Sequence, residues 1–162
     1  MDLDALLRAN RQYARTFAHA ALPSRPTREI AILTCMDVRI DPLALVGMGL
    51  GDAHVVRNAG GRAVDALRSL AVSCELFDTR RILVIHHTEC GMEGVDDAVL
   101  AARFEERSPG SAQGVAFHGF ADLAESVRED VALLRGSTLI PPHVRIDGLV
   151  YDVRSGLLEE IA

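Results

Sequence analysis

Apolar residues recur along this chain with two periods, and the switches between them lay out the elements. Leu3, Leu6, Leu7, Tyr13, Ala14 and Phe17 return at helical spacing, which predicts an amphipathic helix over residues 4–19. Pro23, Ser24 and Pro26 end it. Three short apolar runs follow at residues 30–34, 53–57 and 81–86, each of strand length. Between them, residues 42–48 predict a short helix and residues 65–77 a longer one, with Leu67, Leu70, Ala71, Cys74 and Phe77 on its apolar face. Further helices are expected at residues 96–106 and 120–135, separated by a loop through Ser108-Pro109-Gly110. The stretch from Gly91 to Gly119 is otherwise the least regular part of the chain. Pro141-Pro142 breaks the chain, and residues 144–153 read as a last strand that turns at Arg154-Ser155-Gly156.

Continuous apolar strands alternating with helices imply a parallel sheet covered on both faces. The expected fold is α/β: one domain over residues 1–162, with a mostly parallel four-stranded sheet, a C-terminal antiparallel edge strand and flanking helices. Residues 1–22 form an N-terminal helical arm in this scheme. Ligands of such sheets bind beyond the carboxyl ends of the strands, where the strand order reverses. With the first strand between the second and third, Cys35 and His87 emerge side by side.

The bulk numbers narrow the function. A chain of 162 residues, 49% hydrophobic and 25% charged, has the composition of a globular protein rather than a disordered one. Its formal net charge of -6, with no basic cluster, repels phosphate backbones, so no nucleic-acid partner is expected. No apolar run approaches the roughly 18 residues a membrane span needs, and Met1-Asp2-Leu3-Asp4 lacks the basic segment of a secretory signal. Three cysteines make a disulfide framework improbable, and a reducing cytoplasm is the expected compartment.

Chemistry concentrates at two strand ends. Cys35-Met36-Asp37-Val38-Arg39 closes the first run, and His87-Thr88-Glu89-Cys90 closes the third. In an extended segment alternate side chains share a face, which would bring Cys35, Asp37 and Arg39 together. His87 and Cys90 are spaced for one tight turn to aim both at a point. Two sulfurs and an imidazole leave a tetrahedral Zn²⁺ one open position, the arrangement of a catalytic site. Water there ionises near pH ~7. Asp37 is then placed to accept a hydrogen bond from the bound hydroxide, and Arg39 to clamp Asp37 bidentately and keep it ionised.

Blander readings compete residue by residue. Free cysteines are usually buried core residues, which suffices for Cys74 on its helix face but not for Cys35 and Cys90 beside His87. Asp37 and Arg39 alone would be a surface pair worth about 0 to 1 kcal/mol, were they not two residues past a ligand. His86 points to the opposite strand face from His87 and packs into the sheet or meets a partner subunit. His19, His54, His118 and His143 have no companions at ligand spacing. Gly47-Met48-Gly49-Leu50-Gly51 precedes a strand and lacks the lysine and hydroxyl of a phosphate loop. Asn58, Gly60 and Gly61 end the second strand at the metal edge, where they either shape the pocket mouth or make a plain turn.

Cys-x-Asp-x-Arg followed some fifty residues later by His-x-x-Cys-Gly resembles the β-class carbonic anhydrases. The likeness extends to Val55-Val56-Arg57-Asn58-Ala59-Gly60, to His86 through Met92, and to Gly148 through Gly156. Carried over, it implies one zinc per subunit on Cys35, His87 and Cys90, with Asp37 and Arg39 as a dyad beside the open position. The implied reaction is reversible hydration of CO₂ to bicarbonate and a proton by zinc-bound hydroxide, with the Gly91 N–H offered to a bicarbonate oxygen. The resemblance further implies a resting form in which Asp37 becomes the fourth zinc ligand, and a homodimer or assembly of dimers whose N-terminal helix crosses onto the neighbour. Glu89 stands where the family often has aspartate, with its side chain expected to point away from the metal. Alternatives are hydrolysis of carbonyl sulfide or carbon disulfide on the same scaffold, or a non-catalytic zinc-stabilised domain.

Overall fold

The computed structural model describes residues 1–162. Strand β1 (Ile30–Cys35) carries apolar residues on both faces and is buried almost throughout, so it occupies the sheet interior. β2 (Ala53–Asn58) alternates between half-buried and exposed positions and forms one edge. β3 (Arg81–His87) is buried from Ile82 onward and lies on the other side of β1. β4 (Arg145–Tyr151) and the short β5 (Leu158–Glu160) complete the order β2-β1-β3-β4-β5. The first four strands are parallel and β5 is antiparallel to β4, as the sequence pattern predicted. After β1 the chain pairs first to one side and then to the other, so the reversal point lies at the carboxyl ends of β1 and β3.

Helices α2 (Ala63–Phe77) and α4 (Leu123–Gly136) cover one face of the sheet. Ala66 and Leu70 of α2, with Val127, Val131 and Leu134 of α4, close over Ala31, Leu33, Ile82, Val84 and Ile146 in the main core. The approach of α4 to β4 requires a glycine: a Cβ on Gly148 would lie 2.6 Å from Val127 Cγ1. The opposite face, built on Ile32, Leu83 and Ile85, is covered by the 3₁₀ turn Ala44–Val46 and by Leu43 and Leu158. The short helix expected at residues 42–48 is a single 3₁₀ turn, ended by Gly47 at φ 68°.

Three boundaries differ from the periodicity. α1 (Leu3–Arg15) stops short of residue 19 at Thr16, although Phe17 continues the apolar stripe, and no residue of this helix is buried. α4 begins after Asp122, which caps the Glu125 N–H, while Phe120 turns into a small core beneath the candidate site. The last strand ends at Tyr151, where Asp152 starts the turn leading into β5. α3 (Asp97–Arg107) lies close to the helix expected there.

Candidate metal centre

The carboxyl ends of β1 and β3 deliver the site. Cys35 is the last residue of β1, His87 the last of β3, and a tight turn brings Cys90 back beside them. Their ligand atoms all lie within 4.8 Å of one another, and all three residues are buried. Cys35 Sγ and Cys90 Sγ are 4.0 Å apart. Two sulfurs bound at ~2.3 Å to one tetrahedral zinc sit roughly 3.8 Å apart, so the spacing suits the ion.

The imidazole is prepared in the same sense. His87 Nδ1 donates to the Thr88 carbonyl at 2.9 Å, which fixes the tautomer and leaves the Nε2 lone pair facing the sulfurs. Nε2 is buried and has no hydrogen-bond partner in the protein. An orphaned buried acceptor beside two thiols is compatible with a metal site. The surrounding backbone favours ionised sulfur: the N–H groups of Asp37 and Gly60 act to lower Cys35, and that of Met92 to lower Cys90. The hydrogen bond with Cys90, and His87 close by, lower the Cys35 thiol despite burial. The Cys35 sulfur in turn raises Cys90, with burial acting in the same direction. For His87, burial pulls downward but is outweighed by Cys35, the Thr88 carbonyl and Asp37, and the net shift is upward.

Asp37 and Arg39 do come together beside the cluster, but by a turn rather than by strand alternation. β1 ends at Cys35, and Asp37 Oδ1 then accepts the Arg39 backbone N–H at 2.9 Å. Arg39 Nε meets Oδ1 at 3.0 Å and Nη2 meets Oδ2 at 2.8 Å, the expected bidentate clamp. Hydrogen bonding to Arg39 holds the Asp37 carboxyl far below the usual carboxylate range. Asp37 Oδ2 lies 3.9 Å from His87 Nε2, so one ionised oxygen stays at the cluster while the dyad is closed.

A cleft of about 450 Å³ opens onto the site, with Met36, Val38, Ala59 and Met92 on its walls and Gly60 and Gly91 at its rim. The Gly91 N–H makes no hydrogen bond within the chain. Gly61 lets the β2 end pass close by: its φ is 72°, and a Cβ there would sit 3.0 Å from the Cys35 nitrogen. Asn58 acts on structure, its side chain bridging the Arg62 N–H and C=O at 2.7 and 2.8 Å. His86 packs inward, with Nδ1 2.8 Å from Ser126 Oγ and Nε2 3.1 Å from Asp130 Oδ2. His54 pairs with Ser73 Oγ at 2.7 Å, His118 lies 3.7 Å from Asp65, and Cys74 is core, as its helix face predicted.

Two features escaped the sequence. Arg57 donates to the carbonyls of Cys35, Ile40 and Asp37 at 2.9, 3.1 and 2.6 Å, cradling the loop that carries the dyad. Its one visible signal is a cation at the end of an apolar strand. Glu89 does point away from the cluster, but into an ion-pair chain with Arg39 and Arg154.

Comparison with known proteins agrees with this geometry. Residues 30–129 match the family model described as carbonic anhydrase. The chain is 35% identical over 159 residues to β-carbonic anhydrase 1 of Mycobacterium tuberculosis, covering 98% of this chain and 96% of the relative. A carbonic anhydrase structure from Streptococcus mutans superposes with a TM-score of 0.91 at 40% identity, covering 100% of this chain and 99% of the other. A carbon disulfide hydrolase of Acidithiobacillus thiooxidans is 32% identical over 152 residues, covering 81% of this chain and 76% of the relative.

Proposed function

The chain belongs to the β-carbonic anhydrase family, and from that premise we propose that Cys35, His87 and Cys90 hold its zinc, with Asp37 and Arg39 as the dyad and Gly91 at the substrate. It is a zinc-dependent enzyme that interconverts carbon dioxide and bicarbonate. When bound, zinc supplies a Lewis acid that brings the ionisation of water at its open position to about pH 7.

The chain's own groups supply the rest. Asp37, kept ionised by Arg39, can only accept hydrogen bonds, so its Oδ2 orients a donor arriving beside His87. The apolar walls of Met36, Val38, Ala59 and Met92 suit a small uncharged substrate and make no competing hydrogen bonds. The unpaired Gly91 N–H is available to an oxygen of bicarbonate, whose charge then enters a cleft that already holds Arg39. The observation that carries this assignment is the partnerless His87 Nε2 beside two sulfurs 4.0 Å apart, with Asp37 locked next to them.

Asp37→Asn tests it. The variant should retain one zinc per chain by elemental analysis while CO₂ hydration falls by about a hundredfold or more. Loss of metal together with activity would mark Asp37 as a structural ligand instead. Stopped-flow comparison of CO₂ with carbon disulfide separates the anhydrase from the hydrolase suggested by the second relative.

The same reading extends to assembly. We propose a homodimer or an assembly of dimers, with residues 1–22 an arm that packs on a second copy; supporting this are Leu3, Leu6, Leu7 and Tyr13, exposed on α1, and Phe17, exposed just beyond its end. A reducing, cytoplasmic setting suits a site built on free thiols.

A further inference from the structure

Glu89 occupies the turn between two of the proposed ligands, in the left-handed region at φ 57°. Its backbone oxygen accepts Arg39 Nη2 at 3.2 Å, and its Oε2 accepts Arg39 Nη1 at 3.0 Å. Arg39 thereby bridges two loops. One edge of its guanidinium grips Asp37, after β1; the other is held by Glu89, after β3.

The remaining carboxylate oxygen of Glu89 is taken by Arg154, through both Nε and Nη2. Arg154 is itself placed by the turn between β4 and β5. Asp152 Oδ1 accepts the Arg154 N–H at 2.8 Å, Thr88 Oγ1 accepts the Val153 N–H at 3.1 Å, and the Thr88 N–H meets the Tyr151 carbonyl at 3.0 Å. Four charges of alternating sign therefore run from Asp37 through Arg39 and Glu89 to Arg154. The Arg39 side chain is 42% exposed, and a long exposed side chain tied at one edge alone would carry Asp37 with it as it moved.

We infer that Glu89, anchored by Arg154, is a positioning residue that holds Arg39 across the two loops and so keeps Asp37 in its closed clamp beside the metal ligands. The inference rests on the assignment of Asp37 and Arg39 as the dyad. Exposed ion pairs are individually weak, so the expected effects are severalfold, and the diagnostic is their dependence on one another.

The test uses the full chain with Glu89→Gln, Arg154→Met, Arg154→Lys and the Glu89→Gln/Arg154→Met double variant. Arg154→Met should lower kcat for CO₂ hydration about threefold to tenfold, with KM changed less than about twofold. It should also weaken thiocyanate binding to the cobalt(II)-loaded protein, read from visible absorption, because a freed Asp37 competes for the open position. Arg154→Lys should restore most of both, and Arg154→Met should add nothing in the Glu89→Gln background. Native kcat and thiocyanate affinity in Arg154→Met would overturn the inference, as would fully additive losses in the double variant. Asp37→Asn serves as the reference: full turnover there defeats the dyad assignment, whereas an inactive Asp37→Asn beside a native-like Arg154→Met defeats this inference alone.

Discussion

Arg57 shows how one side chain can govern a site without facing it. Its guanidinium spans three carbonyls on the loop from Cys35 to Ile40, a task that needs several donors in a rigid fork. Each bond from a charged donor stabilises the fold by roughly 1.5–3 kcal/mol, less what water restores at an accessible position. Arg57→Gln should therefore lower the unfolding free energy by about 1–3 kcal/mol in a denaturant titration and reduce kcat by about tenfold, because the carbonyl of Asp37 is among the three. Arg57→Lys should recover little of either, since a single ammonium cannot reach all three carbonyls. Recovery by lysine would mean that charge alone, not geometry, holds the loop.

At the scale of elements, α3 and the loop behind it are organised by carboxylates that accept main-chain N–H groups. Asp97 takes those of Phe117, His118 and Gly119 at 2.7, 2.9 and 2.9 Å, and Glu105 takes those of Gly110 and Ala112. The loop runs irregularly through residues 108–119, with His118 at φ 59°, because these acids replace the hydrogen bonds a regular element would make. The bonds from Gly119, His118 and Phe117 hold the Asp97 carboxyl below its ordinary range. A carboxyl lowered by folding stabilises the native state above its unfolded pKa, near 3.9, and that stabilisation disappears as pH falls through the lower native value. Amides 117–119 should thus stay protected from hydrogen exchange near neutrality and lose protection in acid ahead of the β1 and β3 amides. In Asp97→Asn they should exchange faster near neutrality, with the difference from the native chain shrinking in acid, and an unchanged rate near neutrality would discount the carboxylate.

On the scale of the whole molecule, the unbalanced feature is α1, which buries nothing of its own chain. Its apolar stripe and the nearly fully exposed Val38 beside the cleft are costly to leave in water. Packing against a second copy would cover them. Sedimentation velocity should give a dimer or larger for the native chain, and Leu6→Glu/Leu7→Glu should shift it toward monomer. A native chain that sediments as a monomer at micromolar concentration would reject the arm.

Local information determined much of this protein. The runs at residues 30–34 and 81–86 announced buried parallel strands because apolar side chains on both faces admit little else, and Cys35, His87 and Cys90 announced a metal because thiol and imidazole at strand ends have few other joint uses. Asp37 and Arg39 were legible as a pair for the same reason of spacing, although an Asx turn, not the pleat, brings them together. Tertiary structure alone decided which distant charges meet them. Arg154 reaches Glu89 across 65 residues, and Arg57 reaches Asp37 across 20. Such contacts follow from strand order and from the meeting of turns at one sheet edge. A periodic pattern records which face a residue takes, not which far-off partner the fold sets opposite it.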